Sequence, residues 1–119
     1  MSRFLRFDLN SLPAPEYSAP TPDRVISGEP SFTTWILEDT PKSHRYAGYW
    51  AATVGAWRVS YEEWEYCSLL EGKAIVTEDG QESVTLSSGD HFIFRPGFQG
   101  RWDVLEPVLK TFVVILPTS

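Results

Sequence analysis

The sequence predicts an all-β domain, either a sandwich or a barrel of about eight or nine short strands. Three observations support this prediction. Short segments are rich in apolar and β-branched residues, turn signals recur at intervals of about 8–12 residues, and no helical periodicity extends beyond about ten residues. Glycine and proline, 8 and 9 of the 119 residues, supply most of the turn signals. A chain of this length is expected to form one domain.

The first 30 residues differ in character from the rest. Four prolines fall within residues 13–22, which excludes a helix there and favours extended backbone. We therefore predict an extended N-terminal arm over residues 1–30 and a β-barrel domain over residues 31–119. Such an arm must lie on another surface. The sequence leaves open whether that surface is its own barrel or a partner subunit.

From residue 31 onward, segments that favour strands alternate with turns. The predicted strands are residues 32–37, 49–54, 57–61, 65–70, 74–77, 83–86, 91–94, 100–105 and 109–116. Glu71-Gly72 and Glu106-Pro107 are predicted to end strands. Asp79-Gly80 is a strong signal for a hairpin with a two-residue loop.

Charge and composition argue against several classes of function. The net charge of −6 disfavours nucleic-acid and anionic-membrane partners, because both need a basic patch. No apolar run approaches the ~20 residues of a membrane-spanning helix, and the N-terminus lacks the apolar stretch of a signal peptide. Cys67 is the single cysteine, so no internal disulfide is expected. A reducing, cytoplasmic location is therefore expected.

Several fixed spacings match a known pair of motifs. Residues 55–72 contain a glycine turn, a strand, the acid Glu65 and a second glycine seven residues later. Residues 89–100 read Gly-Asp-His-Phe-Ile-Phe-Arg-Pro-Gly-Phe-Gln-Gly, and residues 100–110 fit Gly-x-Trp-x-Val-x-Glu-Pro-x-x-Lys. Together with Gly48-Tyr49-Trp50, these segments resemble the small single-domain cupins of the Cupin_3 type. That family is related to the ethanolamine-utilisation cupin and to ureidoglycine aminohydrolase-like proteins.

The resemblance covers about residues 26 to 116. It implies a cupin jelly-roll β-barrel, also called a double-stranded β-helix, preceded here by the proline-rich arm. Members of the family are commonly homodimers, so the resemblance also implies a homodimer.

The chain departs from the family pattern at the metal ligands. Metal-binding cupins place a His-x-His pair a few residues before the glutamate, but residues 58–61 contain no histidine. The later family histidine falls at Gly100. Only Glu65 keeps its ligand position, whereas a stable transition-metal site generally needs three or four converging ligands. We therefore expect no metal cofactor.

An acid and a lysine remain at barrel positions. By the resemblance Glu65 points into the barrel, and strand alternation places Lys110 on one face with Phe112 and Val114. If Lys110 also points inward, the two would form a polar site within an apolar cup, which is the usual form of a small-molecule pocket. Both are candidate catalytic residues, with Lys110 binding an anionic group or acting as a base and Glu65 as its acid or base partner. The alternative is a buried pair whose members only neutralise each other.

Four further residues are candidates for ligand contact: Tyr61, Cys67, Trp102 and Trp57. Tyr61 could donate its hydroxyl to a ligand or to the buried acid, or could pack at the rim. Trp102 could stack on a ligand or plug the barrel, and Trp57 could line the pocket or pack between the sheets. A cationic neighbour such as Lys110 could activate Cys67, but a buried cysteine more commonly acts as a small apolar filler.

The sequence thus favours a small-molecule-binding cupin without the usual metal, with a pocket for a small polar or anionic metabolite. An alternative is a hydrolase, isomerase or lyase acting on a small carbon–nitrogen or sugar-derived metabolite through Glu65 and Lys110. A weaker alternative is a structural module that serves only for dimerisation.

Overall fold

Nine antiparallel strands form one curled sheet in the computed structural model, which describes residues 2–117. The strands are β1 Glu16–Ser18, β2 Val25–Gly28, β3 Phe32–Thr40, β4 Arg45–Ala52, β5 Gly55–Tyr61, β6 Trp64–Glu78, β7 Val84–Ser87, β8 His91–Phe94 and β9 Phe98–Ile115. The helical content of this part of the chain is two short 3-10 turns, Pro22–Arg24 and Pro41–Ser43. Neither turn approaches the length of a helix that could cross a membrane. The predicted all-β class is confirmed.

The two longest strands, β6 and β9, bend and belong to both faces of the barrel. Residues 64–71 of β6 pair with residues 109–115 of β9, and residues 73–78 pair with residues 100–106. Strands β1, β3, β4 and β8 complete one face, and β2, β5 and β7 complete the other. The predicted cupin jelly roll is therefore confirmed.

The strand ends predicted at residues 72 and 107 are wrong, because both residues lie at these bends. Gly72 has a φ of 92°, and a Cβ there would lie 2.1 Å from the carbonyl oxygen of Pro107. The two bends therefore touch at a place that accepts only glycine. Pro107 has no partner in the ladder, so its missing N–H breaks no hydrogen bond between strands.

The loop between β6 and β7 is longer than the predicted two residues. Pairing of these strands stops at Val76 and Val84, although Asp79-Gly80 does form a turn, with Gly80 at a φ of 81°. Residues 77–78 pair with residues 100–101 of β9 but not with β7. The hairpin loop therefore spans residues 77–83, with the Asp79-Gly80 turn inside it.

Much of the proline-rich segment lies on the barrel of its own chain. β1 extends one face by pairing with β3, and β2 extends the other face by pairing with β5. Residues 19–24, called the strap below, run from one of these edges to the other. Nearer the N-terminus, the ring of Phe7 lies 5.4 Å from that of Tyr49. The division into two units at residue 30 stays a prediction.

Aromatic side chains fill the middle of the barrel. Trp102 has no exposed surface, and its ring lies 5.7–6.1 Å from the rings of Trp50, Trp57, Phe92 and Phe94. Each such pair contributes roughly 0.5–1.5 kcal/mol beyond simple burial. This aromatic centre leaves two separate cavities, one beside β3, β4 and β5 and one beside β7 and β8.

Candidate functional site

The cavity beside β3, β4 and β5 has a volume of about 590 Å³ and contains the predicted polar pair in its wall. Its apolar lining includes Phe32, Tyr46, Trp50, Trp57, Val59 and Phe112. Its polar lining includes Thr34, Ser60, Tyr61, Glu65 and Lys110. An apolar cavity of this size with a few polar groups has the general form of a small-molecule site. The second cavity, of about 880 Å³, contains neither Glu65 nor Lys110.

Glu65 and Lys110, the two candidate catalytic residues, form a buried ion pair. They lie on paired parts of β6 and β9, and Lys110 Nζ donates to Glu65 Oε2 at 2.9 Å. Only 7% of Glu65 and 3% of Lys110 is exposed. The structure therefore brings the two side chains together, while their functional role stays a prediction.

Aromatic rings surround the ammonium of Lys110. Its Nζ lies 4.7 Å from the ring centroid of Trp50, 5.2 Å from that of Trp102 and 6.0 Å from that of Phe94. Burial alone lowers the pKa of Lys110, but Glu65, Cys67 and Tyr61 together outweigh burial, and the net pKa is raised. Lys110 therefore stays protonated near neutral pH and makes a poor general base.

Cys67 completes a three-residue cluster with this pair. Its Sγ accepts a hydrogen bond from Lys110 Nζ at 3.2 Å and donates one to Glu65 Oε2 at 3.3 Å. Burial raises the pKa of the Cys67 thiol to about 12, even though Lys110 acts in the opposite direction. The expected influence of Lys110 is present but too small to activate the thiol. Cys67 has no exposed surface and lies behind the cavity wall.

Of the other three predicted ligand contacts, two lie at the cavity and one lies behind its wall. Tyr61 and Trp57 line the cavity. Trp102 is fully buried behind them, stacked 6.1 Å from Trp57, and its Nε1 donates to the Tyr61 hydroxyl at 3.2 Å. Burial is the main reason that the pKa of Tyr61 is raised, so Tyr61 keeps a proton to donate.

The carboxylate of Glu65 keeps one oxygen for the cavity. Both hydrogen bonds to this side chain end on Oε2. Within residues 2–117, every fully buried side-chain nitrogen or oxygen has a hydrogen-bond partner, whereas Oε1 has none. Oε1 is therefore not fully buried, and since Glu65 lines the cavity, this oxygen faces it. An ionised carboxylate oxygen there is a strong acceptor for an O–H or N–H of a ligand.

The strap adds two lining residues, Pro20 and Arg24, that were not among the predicted ligand contacts. Arg24 makes no ion pair within the described residues, whereas Arg58, also in the wall, binds Asp79 through bonds of 2.9 and 2.7 Å. Trp50 was missed as well. The prolines around Arg24 indicate a constrained segment, but the position of Arg24 at the cavity depends on how β1 and β2 pair.

The residues around Glu65 do not fit a divalent metal ion. The place beside its carboxylate is taken by the ammonium of Lys110 and by a protonated thiol. At Gly100, where the family has its later histidine, a Cβ would lie 2.2 Å from the carbonyl oxygen of Thr77. In the described part of the chain, no three His, Cys, Asp or Glu side chains are grouped as metal ligands. The donor set thus supports the expectation of no metal, which stays a prediction.

Comparison with known proteins agrees with the fold. The model of a family described as the EutQ-like cupin domain matches residues 40–112, more than half of the chain. Among solved structures, a protein of unknown function from Pseudomonas syringae pv. tomato has a TM-score of 0.80 and 25% identity. That match covers 91% of this chain and 46% of the other, so the chain spans about half the length of that protein.

Two more distant structures show the fold alone. The EutQ protein of Clostridium difficile has a TM-score of 0.65 and 18% identity, over 83% of this chain and 80% of that chain. Ectoine synthase from P. lautus has a TM-score of 0.66 and 13% identity, over 74% of this chain and 66% of that chain. No curated protein matches the chain in sequence.

Proposed function

Because the chain belongs to the EutQ-like cupin family, we propose that its barrel binds a small organic molecule in the cavity beside Glu65 and Lys110. The observation that carries this proposal is the free Oε1 oxygen of Glu65 in a wall rich in apolar and aromatic side chains. A carboxylate held in such surroundings is costly unless it is paired and hydrogen-bonded. A barrel with no ligand to bind could fill the same positions with aliphatic side chains.

The inner end of the cavity suits an uncharged polar group. Oε1 of Glu65 accepts a hydrogen bond, and the Tyr61 hydroxyl has a proton to donate. A hydroxyl or a carboxamide satisfies both, because each can donate and accept. Lys110 is less suited to binding an anion directly, since it already donates to Glu65 and Cys67 and the rings of Trp50 and Trp102 lie close to it. Its charge also disfavours a ligand ammonium at this place.

Binding accounts for the geometry better than the two alternatives. A mechanism with Lys110 as the base would need it to lose its proton, but the raised pKa keeps it charged. A module serving only for dimerisation has no need for a cavity of about 590 Å³ beside a buried charge pair. We therefore propose binding as the function and leave catalysis as the alternative.

A metabolite screen on matched proteins tests this proposal. The double variant Glu65→Leu/Lys110→Met removes the acceptor oxygen without leaving a lone buried charge, so it should stay folded. Small polar metabolites would be screened by ligand-observed NMR, and each hit titrated against both proteins. Hits should bind wild type and lose about tenfold or more in affinity for the double variant. Equal affinity for both proteins, or no hit at all, would contradict the proposal.

A further inference from the structure

The geometry points to a two-ended acid as the molecule bound in this cavity. We infer that its inner end is a hydroxyl or carboxamide held by Glu65 and Tyr61, and that its outer end is an anionic group held by Arg24. This inference rests on the proposed function and names the chemical class of its ligand. It follows from the strap and from the charges that remain unpaired in the cavity.

The strap places Arg24 at the cavity. It is tied down at both ends, by pairing of β1 with β3 and of β2 with β5. Within it, the N–H of Arg24 donates to the carbonyl of Thr21 at 2.9 Å, and the ring of Pro20 forms part of the cavity wall. Prolines reduce the number of backbone conformations available to such a segment. The side chain of Arg24 is thus attached to a fixed part of the wall.

Among the described residues, Arg24 carries the positive charge of this cavity that has no ion-pair partner. The charges of Lys110 and Glu65 cancel within their pair, and the guanidinium of Arg58 is held by Asp79. A guanidinium with its donors free binds a carboxylate or a phosphate through two parallel hydrogen bonds. The cavity therefore attracts an anionic group, although the protein as a whole has a net charge of −6.

The surroundings of Arg24 favour the cavity side for that anion. An adjoining hollow shares Arg24 with the cavity, and Glu62 and Glu63 line it. Neither acid forms an ion pair with Arg24 among the described residues. Their negative charges repel an anion from the outer side of the arginine. If the anionic group lies on the inner side, the rest of the molecule extends from it into the aromatic part of the cavity.

A panel of matched small molecules tests both ends. The probes are ω-hydroxyalkanoates of increasing chain length and the corresponding ω-hydroxyalkyl phosphates. Each is compared with the alkanoate that lacks the hydroxyl, the α,ω-diol that lacks the anion, the ω-carbamoyl acid and the ω-amino acid. Affinities are measured by NMR titration with wild type, Arg24→Gln and Arg95→Gln. Arg95 is an exposed arginine that lines the other cavity, so its variant is the matched loss of charge.

The best hydroxy acid should bind about tenfold tighter than its matched alkanoate and its matched diol. The carbamoyl acid should resemble it, and the amino acid should bind more weakly. Arg24→Gln should remove most of the affinity that the anionic group adds, and it should leave the affinity of the diols unchanged. Arg95→Gln should change the affinity of neither the hydroxy acids nor the diols. The affinity added by the anionic group should also fall as the salt concentration is raised. Comparison of carboxylates with phosphates identifies which anion is preferred.

The inference would be overturned by diols that bind as tightly as hydroxy acids, by equal effects of the two arginine variants, or by a preference for the amino acids. If diols or other neutral hits still bind and the Glu65→Leu/Lys110→Met variant loses them, the proposed function stands and only the two-ended ligand is refuted. If no member of the panel binds, the two-ended ligand is refuted as well. The wider metabolite screen then decides the proposed function independently.

Discussion

Replacing Lys110 with methionine should destabilise the protein by about 3–5 kcal/mol. Methionine has a similar length and no charge, so packing against Trp50 and Trp102 largely survives. The loss comes from Glu65, a residue that is 7% exposed and whose carboxylate keeps only the weak thiol donor of Cys67 after its 2.9 Å bond to Lys110 is removed. The cation–π contacts add to the loss, since they are worth about 2 kcal/mol when the cation is desolvated.

The double variant separates this effect from packing. Glu65→Leu/Lys110→Met leaves no buried charge, so its free energy of unfolding should lie within about 1–2 kcal/mol of wild type and can exceed it. Each single variant leaves one buried charge without a partner, so both single variants should be less stable than wild type and than the double variant. A double-mutant cycle built from urea unfolding curves gives the coupling energy between the two residues.

The double variant is also the reference that distinguishes charge from packing. The measurement is the urea unfolding curve of Lys110→Met and of the double variant under the same conditions. A loss below about 1 kcal/mol in Lys110→Met would refute this account, because that is the range of a solvated surface pair. An equal loss in the double variant would show that packing, and not charge, is responsible.

Two other predictions concern single residues. The pKa of Cys67 is raised from 9.0 to about 12, so the folded state keeps a proton that the unfolded chain loses above pH 9.0. The stability it contributes is complete below pH 9.0 and is lost as pH rises from there to about 12, so Cys67→Ala should show a shallower fall in melting temperature over that window. Gly72→Ala should cost several kcal/mol, because its Cβ would lie 2.1 Å from the carbonyl oxygen of Pro107. Gly80→Ala is the control, since it has a similar positive φ but nothing within 4 Å, and should cost only about 1 kcal/mol in urea unfolding. Equal losses would mean that backbone conformation alone sets the cost at both glycines.

Short-range patterns were sufficient to predict most strands but not the bends. The strand β8 lies at residues 91–94 as predicted, because polar and glycine turns bound it on both sides. Gly72 and Pro107 have the chemistry of strand ends, yet the chain continues through them because β6 and β9 pair with each other on both sides of the bend. A residue that permits a turn also permits a bend. Only the long-range pairing distinguishes the two.

The site was predictable to the extent that strand alternation determines it. Alternation and the family motif put Glu65 and Lys110 inside the barrel, where the structure has them. The contact between Lys110 and Trp50 depends on the register of β4 against β9, which places these two residues directly opposite each other. Arg24 reaches the cavity only because two strands of three and four residues hold the strap. Strands that short leave little periodic pattern in a sequence.

The Glu65–Lys110 pair also determines what kind of ligand atom this barrel can bind. A divalent ion with an open coordination position binds ligands through their lone pairs. Here an ammonium stands beside the glutamate, and two of its three donors are directed at Glu65 Oε2 and Cys67 Sγ within the protein. The oxygen of Glu65 left facing the cavity is Oε1, which can only accept a hydrogen bond. A group bound to this oxygen must therefore present a hydrogen, where a ligand of a metal-containing barrel presents a lone pair.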